Sequence, residues 1–308
     1  MLSGYPEPLV SPEILPMVTY GGLAVAIFFS ISGYLVTQSW VADPNLWRFI
    51  LKRLLRIMPA LIVVTLASIF FIGPLTTSEP LNEYFSEKTT WQYLYNIYLK
   101  TAYELPGVFL LNPYPKAVNG SLWTLPMEFQ WYLVVAALGF SKLIRIKPLL
   151  IMCWPVLAWW VDTFNLPGQK GMDYFWCFGL FFFGGMVLAS VEFSRKYLLA
   201  ACILAVPFFY WNEGGLAIAI LIPIGVICLG KASIPVIRSF GKFGDISYGV
   251  YIFAFPTQQT IVHFLGASRP FPMLLLCSFI ITYGLAYISW LFIEAPALAL
   301  KKRLYPKA

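Results

Sequence analysis

The chain alternates between long apolar stretches and short polar or basic segments. Several apolar stretches approach the ~20 residues that a helix needs to cross the hydrocarbon core of a bilayer. Because a spanning segment has to satisfy its backbone hydrogen bonds internally, the pattern predicts an all-α, polytopic membrane helix bundle with about nine transmembrane helices. The predicted spans are Val18–Trp40, Ile57–Ile72, Leu122–Phe140, Leu149–Val161, Tyr174–Val191, Tyr197–Trp211, Leu216–Gly230, Ile246–Leu265 and Phe271–Ile293.

Two segments fall outside this pattern. Residues 1–17 hold four prolines, two acidic residues and no Lys or Arg, so they predict an exposed, extended segment rather than a secretory signal. Thr76–Asn119 is the one long polar connection, and its aromatic cluster predicts a helix lying at the membrane–water interface. That cluster consists of Trp91, Tyr93, Tyr95 and Tyr98.

Composition agrees with a membrane protein. The chain is 59% hydrophobic and only 11% charged, whereas a soluble domain has about 25% charged residues, so a soluble enzyme is excluded. The net charge of +7 does not indicate nucleic-acid binding, because the basic residues lie between the apolar stretches. The five cysteines lie inside apolar stretches without metal-ligand spacing, so no metal site and no disulfide framework is expected.

The distribution of basic residues predicts the orientation. Sixteen of the 21 Lys and Arg residues fall in one alternate set of connections, which places the C-terminus in the cytoplasm and, with nine spans, the N-terminus outside. These sixteen are Arg48, Lys52, Arg53 and Arg56; Lys142, Arg145 and Lys147; Arg195 and Lys196; Lys231, Arg238 and Lys242; and Lys301, Lys302, Arg303 and Lys307.

Glu128 is the first candidate for chemistry. It lies about two turns inside the apolar stretch that ends at Phe140. An ionised carboxylate at that depth costs several kcal/mol unless a partner or a water-filled cavity receives it. It either lies near the headgroups and is satisfied by an arginine or a hydroxyl, or marks a membrane-embedded site, and we favour the site.

Arg53 and Arg56 are the second candidate. They are one helical turn apart, so both guanidinium groups project from one helix face. Such a pair either anchors the cytoplasmic end of a span on anionic lipid or holds phosphate groups, which Arg matches bidentately.

Five stretches together resemble the membrane-bound acyltransferase family 3, the multi-pass bacterial O-acyltransferases. The first carries a glycine-valine, double-Phe, Ser-Gly-aromatic signature. The second has two arginines three apart and then a proline, and the third has a Gly-Ser-Leu-Trp-Thr-Leu segment followed by Glu. The last two are C-terminal signatures. In order they are Gly21–Tyr34, Phe49–Pro59, Asn119–Tyr132, Gly244–Tyr251 and Phe292–Pro296. Their order and spacing cover nearly the whole chain, so we expect one domain over residues 1–308.

The resemblance implies a reaction and a location. It implies transfer of an acyl group, acetyl being the expected one, from acyl-CoA to a hydroxyl of a surface polysaccharide, lipopolysaccharide or lipid-linked sugar at the bacterial inner membrane. Acyl-CoA is then a co-substrate, and no bound cofactor is expected. Arg53 and Arg56 would hold the donor's phosphates, and Glu128 would orient a histidine or the acceptor hydroxyl.

The resemblance also suggests residues that line the cavity: Ser32, Ser121 and Trp123. Other interpretations stay open for two of them. Ser32 and its small neighbours either let helices approach closely or bend the helix so that hydroxyls line an acyl path. Trp123 and Trp131 are equally typical of the aromatic belt at a membrane interface. Near the C-terminus, we expect Asp245 to cap the eighth span and Glu294 to pair with a Lys or Arg.

The expected catalytic histidine is missing from the matched stretches. The family places it in a first helix before the glycine-valine signature, and this sequence has a single histidine, His263, without a motif around it. Either the start codon is placed too late and a tenth helix precedes Met1, or the chain is a shortened, inactive relative. Two other classes compete with the enzyme: a transporter or flippase for a glycolipid or metabolite, and a catalytically dead membrane scaffold.

Overall fold

The computed structural model describes residues 19–164, 173–191, 214–232 and 244–304. Within these ranges the chain forms twelve α-helices and no β-strand, which confirms the all-α prediction. The helices are α1 (Tyr20–Ala42), α2 (Leu46–Ala67), α3 (Gly73–Thr76), α4 (Leu81–Ser86), α5 (Lys88–Gln92), α6 (Thr124–Phe140), α7 (Lys147–Phe164), α8 (Asp173–Ser190), α9 (Gly214–Lys231), α10 (Ser247–Leu265), α11 (Phe271–Ser289) and α12 (Ala295–Leu304).

Three helical stretches in the described part of the chain are long and apolar enough to cross a membrane. They are Tyr20–Ala42, Leu46–Thr76 and Phe271–Leu300. Shorter apolar helices cover Lys147–Val161, Tyr174–Ser190 and Ile218–Lys231. The predicted span Tyr197–Trp211 and the N-terminal segment 1–17 lie outside the described residues, so the count of about nine spans stays a prediction.

The chain divides into two compact units. We call one the glutamate unit, formed by the described residues of 7–50 and 127–235, because it contains Glu128. The other is the arginine unit, formed by the described residues of 51–126 and 236–308, and it contains Arg53 and Arg56. The prediction of a single domain over residues 1–308 stays a prediction.

In the glutamate unit, α1 and α8 pack backbone against backbone. A Cβ on Gly33 would lie 2.0 Å from the carbonyl oxygen of Phe182, and one on Gly185 would lie 2.1 Å from that of Ser30. Only glycine allows so close an approach, and Phe29 is fully buried beside this seam. The signature around Gly33 therefore serves helix packing, and α1 runs as one unbroken α-helix from Tyr20 to Ala42.

In the arginine unit, the basic segment of α2 continues directly into an apolar helix, as predicted. A π-helical turn over Ser68–Ile72 joins it to α3. The predicted span ends at Ile72, whereas the helix continues for one more turn and ends at Thr76. Proline is compatible with the first turn of a helical segment, where its missing N–H is not needed.

The long connection forms a hydrophobic cluster together with Ile69 of the π-helical turn. The members of this cluster are Ile69, Tyr84, Tyr93, Leu105, Val108, Phe109 and Val118. Residues 88–98 are helical, as α5 and a 3₁₀-helix, Tyr93–Tyr98. Tyr93 faces inward, whereas Trp91, Tyr95 and Tyr98 are exposed. Tyr93 therefore does not belong to the predicted aromatic interface, because its ring packs inside the hydrophobic cluster.

Candidate functional site

The Glu128 carboxylate lies buried among hydroxyl groups in the glutamate unit. Its side chain on α6 is 4% exposed. Oε1 accepts a hydrogen bond from Ser32 Oγ on α1 at 3.2 Å and another from the Tyr132 hydroxyl. The two hydroxyl oxygens lie 3.4 Å apart. Ser32 and Glu128 are therefore brought together, and two hydroxyl groups donate to one oxygen of the carboxylate.

Helix geometry and aromatic packing hold this group of three residues. Tyr132 lies one turn after Glu128, so its hydroxyl reaches back along the same face of α6. The ring of Phe182 lies 6.3 Å from Tyr132 and 5.6 Å from Trp131. Trp131 is only 3% exposed and stacks on Phe175 at 5.2 Å, so it belongs to the interior of this unit. An apolar aromatic surround strengthens the hydrogen bonds to Glu128.

Ser121 and Trp123 lie on a 3₁₀-turn, Gly120–Trp123, in the arginine unit. The Asn119 side chain accepts a hydrogen bond from Ser121 N at 3.1 Å and begins this turn. The Tyr251 hydroxyl on α10 donates to the Ser121 carbonyl oxygen at 2.5 Å and also bonds the Thr124 hydroxyl. Both predicted lining residues are half-buried. The backbone of Ser121 is hydrogen-bonded to α10 through Tyr251.

Arg56 lies at the centre of an ion cluster in the arginine unit. Its Nη2 donates to Asp245 Oδ2 at 2.7 Å and to Ser247 Oγ at 3.4 Å. Its Nη1 lies 3.7 Å from Glu294 Oε2, and the guanidinium lies 5.8 Å from the centre of the Tyr248 ring. The cluster brings together three of the sequence stretches that carry the family resemblance, at α2, at the start of α10 and at the π-turn Trp290–Glu294.

The carboxylates of this cluster bear on two predictions from the sequence, of which the pairing of Glu294 is confirmed. The N-cap residue of α10 is Ile246, which makes no side-chain cap hydrogen bond. Asp245 lies one position earlier, and its Oδ1 accepts from Ser247 N at 3.3 Å. Glu294 pairs with a basic residue, Arg56. Burial of the Asp245 carboxyl opposes its ionisation, but the charge of Arg56 and the hydrogen bonds of Ser247 outweigh burial and hold the pKa of Asp245 below its usual value. Arg53 lies one turn before Arg56 on α2 and is half-buried.

His263 lies in the last turn of α10 and is exposed. Its ring contacts Phe109 and Phe264 edge-on, with centroid distances of 5.7 and 5.1 Å. These contacts are those of an aromatic side chain packed on a hydrophobic surface. Within the described residues there is no group of three or more His, Cys, Asp or Glu residues that could hold a metal ion.

Sequence reasoning did not identify which hydroxyl groups bond Glu128 or which acidic residues pair with Arg56. The Glu-x-x-x-Tyr spacing of Glu128 and Tyr132 offered a signal, because residues four apart meet on a helix. No local signal links Arg56 to Asp245, which lies 189 positions further along the chain. That contact depends on how α2 and α10 pack.

Comparisons with known proteins support the resemblance. A family model described as an acyltransferase domain matches residues 2–291. The O-acetyl transferase of Shigella phage Sf6 is 30% identical over 95% of this chain and 88% of its own length. Nodulation protein 10 of Rhizobium leguminosarum bv. viciae is 27% identical over 91% and 83%. Peptidoglycan O-acetyltransferase OatA of Listeria monocytogenes is 25% identical over 90% of this chain and 51% of its own length. No solved structure matches the chain.

Proposed function

Since the chain belongs to the acyltransferase family and is an acyltransferase, we propose that it is a membrane O-acyltransferase that moves an acetyl group from acetyl-CoA to a sugar hydroxyl. The match of the family model to residues 2–291 is the observation that carries the reaction class. The acetyl group is supported by the names of two relatives, and the carbohydrate acceptor by the peptidoglycan in one of those names.

In the proposed reaction, the acceptor oxygen attacks the thioester carbonyl and the carbon–sulfur bond breaks. The products are an O-acetyl ester and free CoA, whose sulfur takes up the proton that the hydroxyl gives up. We assign Glu128 to the acceptor side, where its carboxylate orients the attacking hydroxyl. Two hydroxyl donors bond its Oε1. These two bonds fix the position of the carboxylate, and a carboxylate held in one position is suited to orienting an acceptor hydroxyl.

We assign the donor side to Arg53 and Arg56. CoA carries a diphosphate and a 3′-phosphate, and guanidinium groups bind phosphate oxygens bidentately. The two side chains project from the same helix face one turn apart. Placing them at the cytoplasmic surface, with the C-terminus also in the cytoplasm, follows the charge bias of the connections. The proposal includes the bacterial inner membrane as the location, and it keeps Ser32, Ser121 and Trp123 as cavity-lining residues.

The test is acetyl transfer by the purified protein in lipid nanodiscs. Acetyl-CoA with a labelled acetyl group is offered together with a bacterial peptidoglycan or polysaccharide fraction, and both CoA thiol release and labelled acceptor are measured. We expect equal amounts of the two products. A wild-type protein that translocates a glycolipid without releasing CoA thiol is a transporter, and one that binds CoA without transfer is a scaffold.

Glu128→Gln tests the assigned residue. Gln retains an oxygen that accepts from Ser32 and Tyr132 but removes the charge, so the fold is kept. We expect kcat/KM for the acceptor to fall about 10- to 100-fold, the scale of lost orientation of a reacting group. Glu83→Gln on α4, where the side chain is exposed, is the matched control. Full transfer activity in Glu128→Gln contradicts the assignment.

A further inference from the structure

Glu294 lies in an unusual place for a carboxylate. Its side chain is 2% exposed, and it ends the π-turn that follows α11. A Cβ on Gly249 of α10 would lie 3.1 Å from Glu294 Oε1 and 3.0 Å from Ala286 Cα of α11, so α10 and α11 are closely apposed beside the carboxylate. Burial of a charge between helices is unfavourable unless a partner compensates it, and an apolar residue packs there more favourably. The carboxylate therefore has a task other than packing.

The two oxygens of Glu294 have different surroundings. Oε1 accepts a hydrogen bond from Ser289 Oγ at 2.9 Å, which fixes the orientation of the carboxylate. Oε2 makes no hydrogen bond within the described residues and faces Arg56 Nη1 at 3.7 Å. Ser289 thus fixes the orientation of the Glu294 carboxylate, and the negative charge of this carboxylate attracts the Nη1 end of the Arg56 guanidinium.

Asp245 holds the other end of the same guanidinium. One of its oxygens accepts from Ser247 at the start of α10, and the other accepts from Arg56 Nη2 at 2.7 Å. Its side chain is 59% exposed, whereas that of Glu294 is buried. Arg56 is therefore held from the surface at Nη2 and from the interior at Nη1.

The charges of this cluster make geometry decisive. Arg56 carries one positive formal charge, and Asp245 and Glu294 carry two negative ones, so the three groups sum to −1. A phosphate is then not attracted by a large positive field. Its binding depends on N–H donors held at the correct angle, and a free arginine side chain has many rotamers.

We propose that Asp245 and Glu294 are positioning residues that fix the Arg56 guanidinium in the orientation that binds a phosphate of the acyl-CoA donor. The inference rests on the proposed function, because it needs a phosphate-bearing donor. Neither carboxylate contacts the donor; each acts through Arg56.

The experiment compares two acetyl donors. Acetyl-CoA carries phosphates and acetyl-pantetheine carries none, so the ratio of their kcat/KM values measures phosphate recognition alone. For Asp245→Asn and Glu294→Gln we expect KM for acetyl-CoA to rise about tenfold with kcat within about twofold, the signature of lost binding common to ground and transition states. Kinetics with acetyl-pantetheine stay unchanged, so the ratio falls about tenfold. Asp43→Asn, which removes a partly exposed ion pair with Arg48, is the control.

The alternatives give different results. Equal losses with both donors show a purely structural role and overturn the inference, and so does a lower KM for acetyl-CoA, which means that the carboxylates compete with the donor. If Glu294→Gln fails to fold, Ser289→Ala keeps the charge and releases the carboxylate, and the same ratio is expected to fall. A wild-type protein that does not distinguish the two donors refutes the proposed donor itself. Intact discrimination in all three variants refutes only the positioning role.

Discussion

Ser32 on α1 donates a hydrogen bond to Glu128 on α6 across 96 positions of the chain, with 3.2 Å between Ser32 Oγ and Glu128 Oε1. Both side chains are buried. The hydroxyl of Tyr132 bonds the same carboxylate oxygen from within α6. The acidic residue of an apolar helix is thus held by two neutral donors, one local and one distant.

Removal of these donors tests their coupling. Tyr132→Phe and Ser32→Ala each take one hydrogen bond from a buried carboxylate, which costs about 1–3 kcal/mol of stability. The double variant is expected to lose less than the sum, since the two hydroxyls share one acceptor oxygen. Thermal unfolding of the wild type and the three variants measures this. Strict additivity contradicts a shared network.

Gly33 tests the seam between α1 and α8. In Gly33→Ala the new methyl group meets the Phe182 carbonyl oxygen at 2.0 Å, and a backbone atom has little room to move away. We expect at least the 1–3 kcal/mol typical of an overpacked core, or loss of monodisperse protein. Gly225→Ala on α9 is the control, because nothing lies within 4 Å of its added Cβ. The measurements are the size-exclusion profiles and unfolding temperatures of Gly33→Ala and Gly225→Ala.

We expect the ionisation of Asp245 to make the stability of the protein depend on pH. Its pKa in the folded protein lies below the unfolded value, because Arg56 and Ser247 outweigh the effect of burial. The stability that it contributes is therefore fully present above the unfolded pKa of about 3.9 and is lost as the pH falls through the lower folded pKa. Wild type and Asp245→Asn are expected to differ in unfolding temperature at pH 6 and to converge toward pH 3. A constant difference across this range contradicts the ion pair.

Gln259 fastens the long connection to α10. Its side chain is fully buried, and Nε2 donates to the carbonyl oxygens of Tyr114 and Ala117, each at 2.7 Å. Oε1 accepts from Asn112 Nδ2 at 2.9 Å. Gln259→Leu leaves these polar groups without their hydrogen-bond partner, and each loss costs about 1–3 kcal/mol of stability.

We expect this variant to show faster hydrogen exchange at residues 112–118, while α1 and α8 keep their wild-type protection. Gln130→Leu, at an exposed position of α6, serves as the comparison. Unchanged hydrogen exchange in residues 112–118 contradicts the expectation that Gln259 stabilises this segment.

Local pattern was enough for much of the fold. Apolar stretches predicted α1, α6, α10 and α11 closely, since residues a turn apart are neighbours whatever lies around the helix. The same rule identified Arg53 and Arg56 as one helix face and Glu128 as a costly acid in an apolar helix. It also placed Asp245 beside the start of α10, one residue before the N-cap position, because a helix start depends only on the next few residues.

The partners of these residues were decided by the tertiary structure. Nothing near Glu128 in the sequence indicates Ser32, and nothing near Arg56 indicates which of many acids it meets. Those pairings follow from helix packing, which depends on close approaches such as Gly33 against Phe182 and Gly249 against Ala286. The sequence determined which groups are too polar for their helices, because that depends on composition and period. Only the packed helices decided which groups compensate them, because that depends on contacts between segments far apart in the chain.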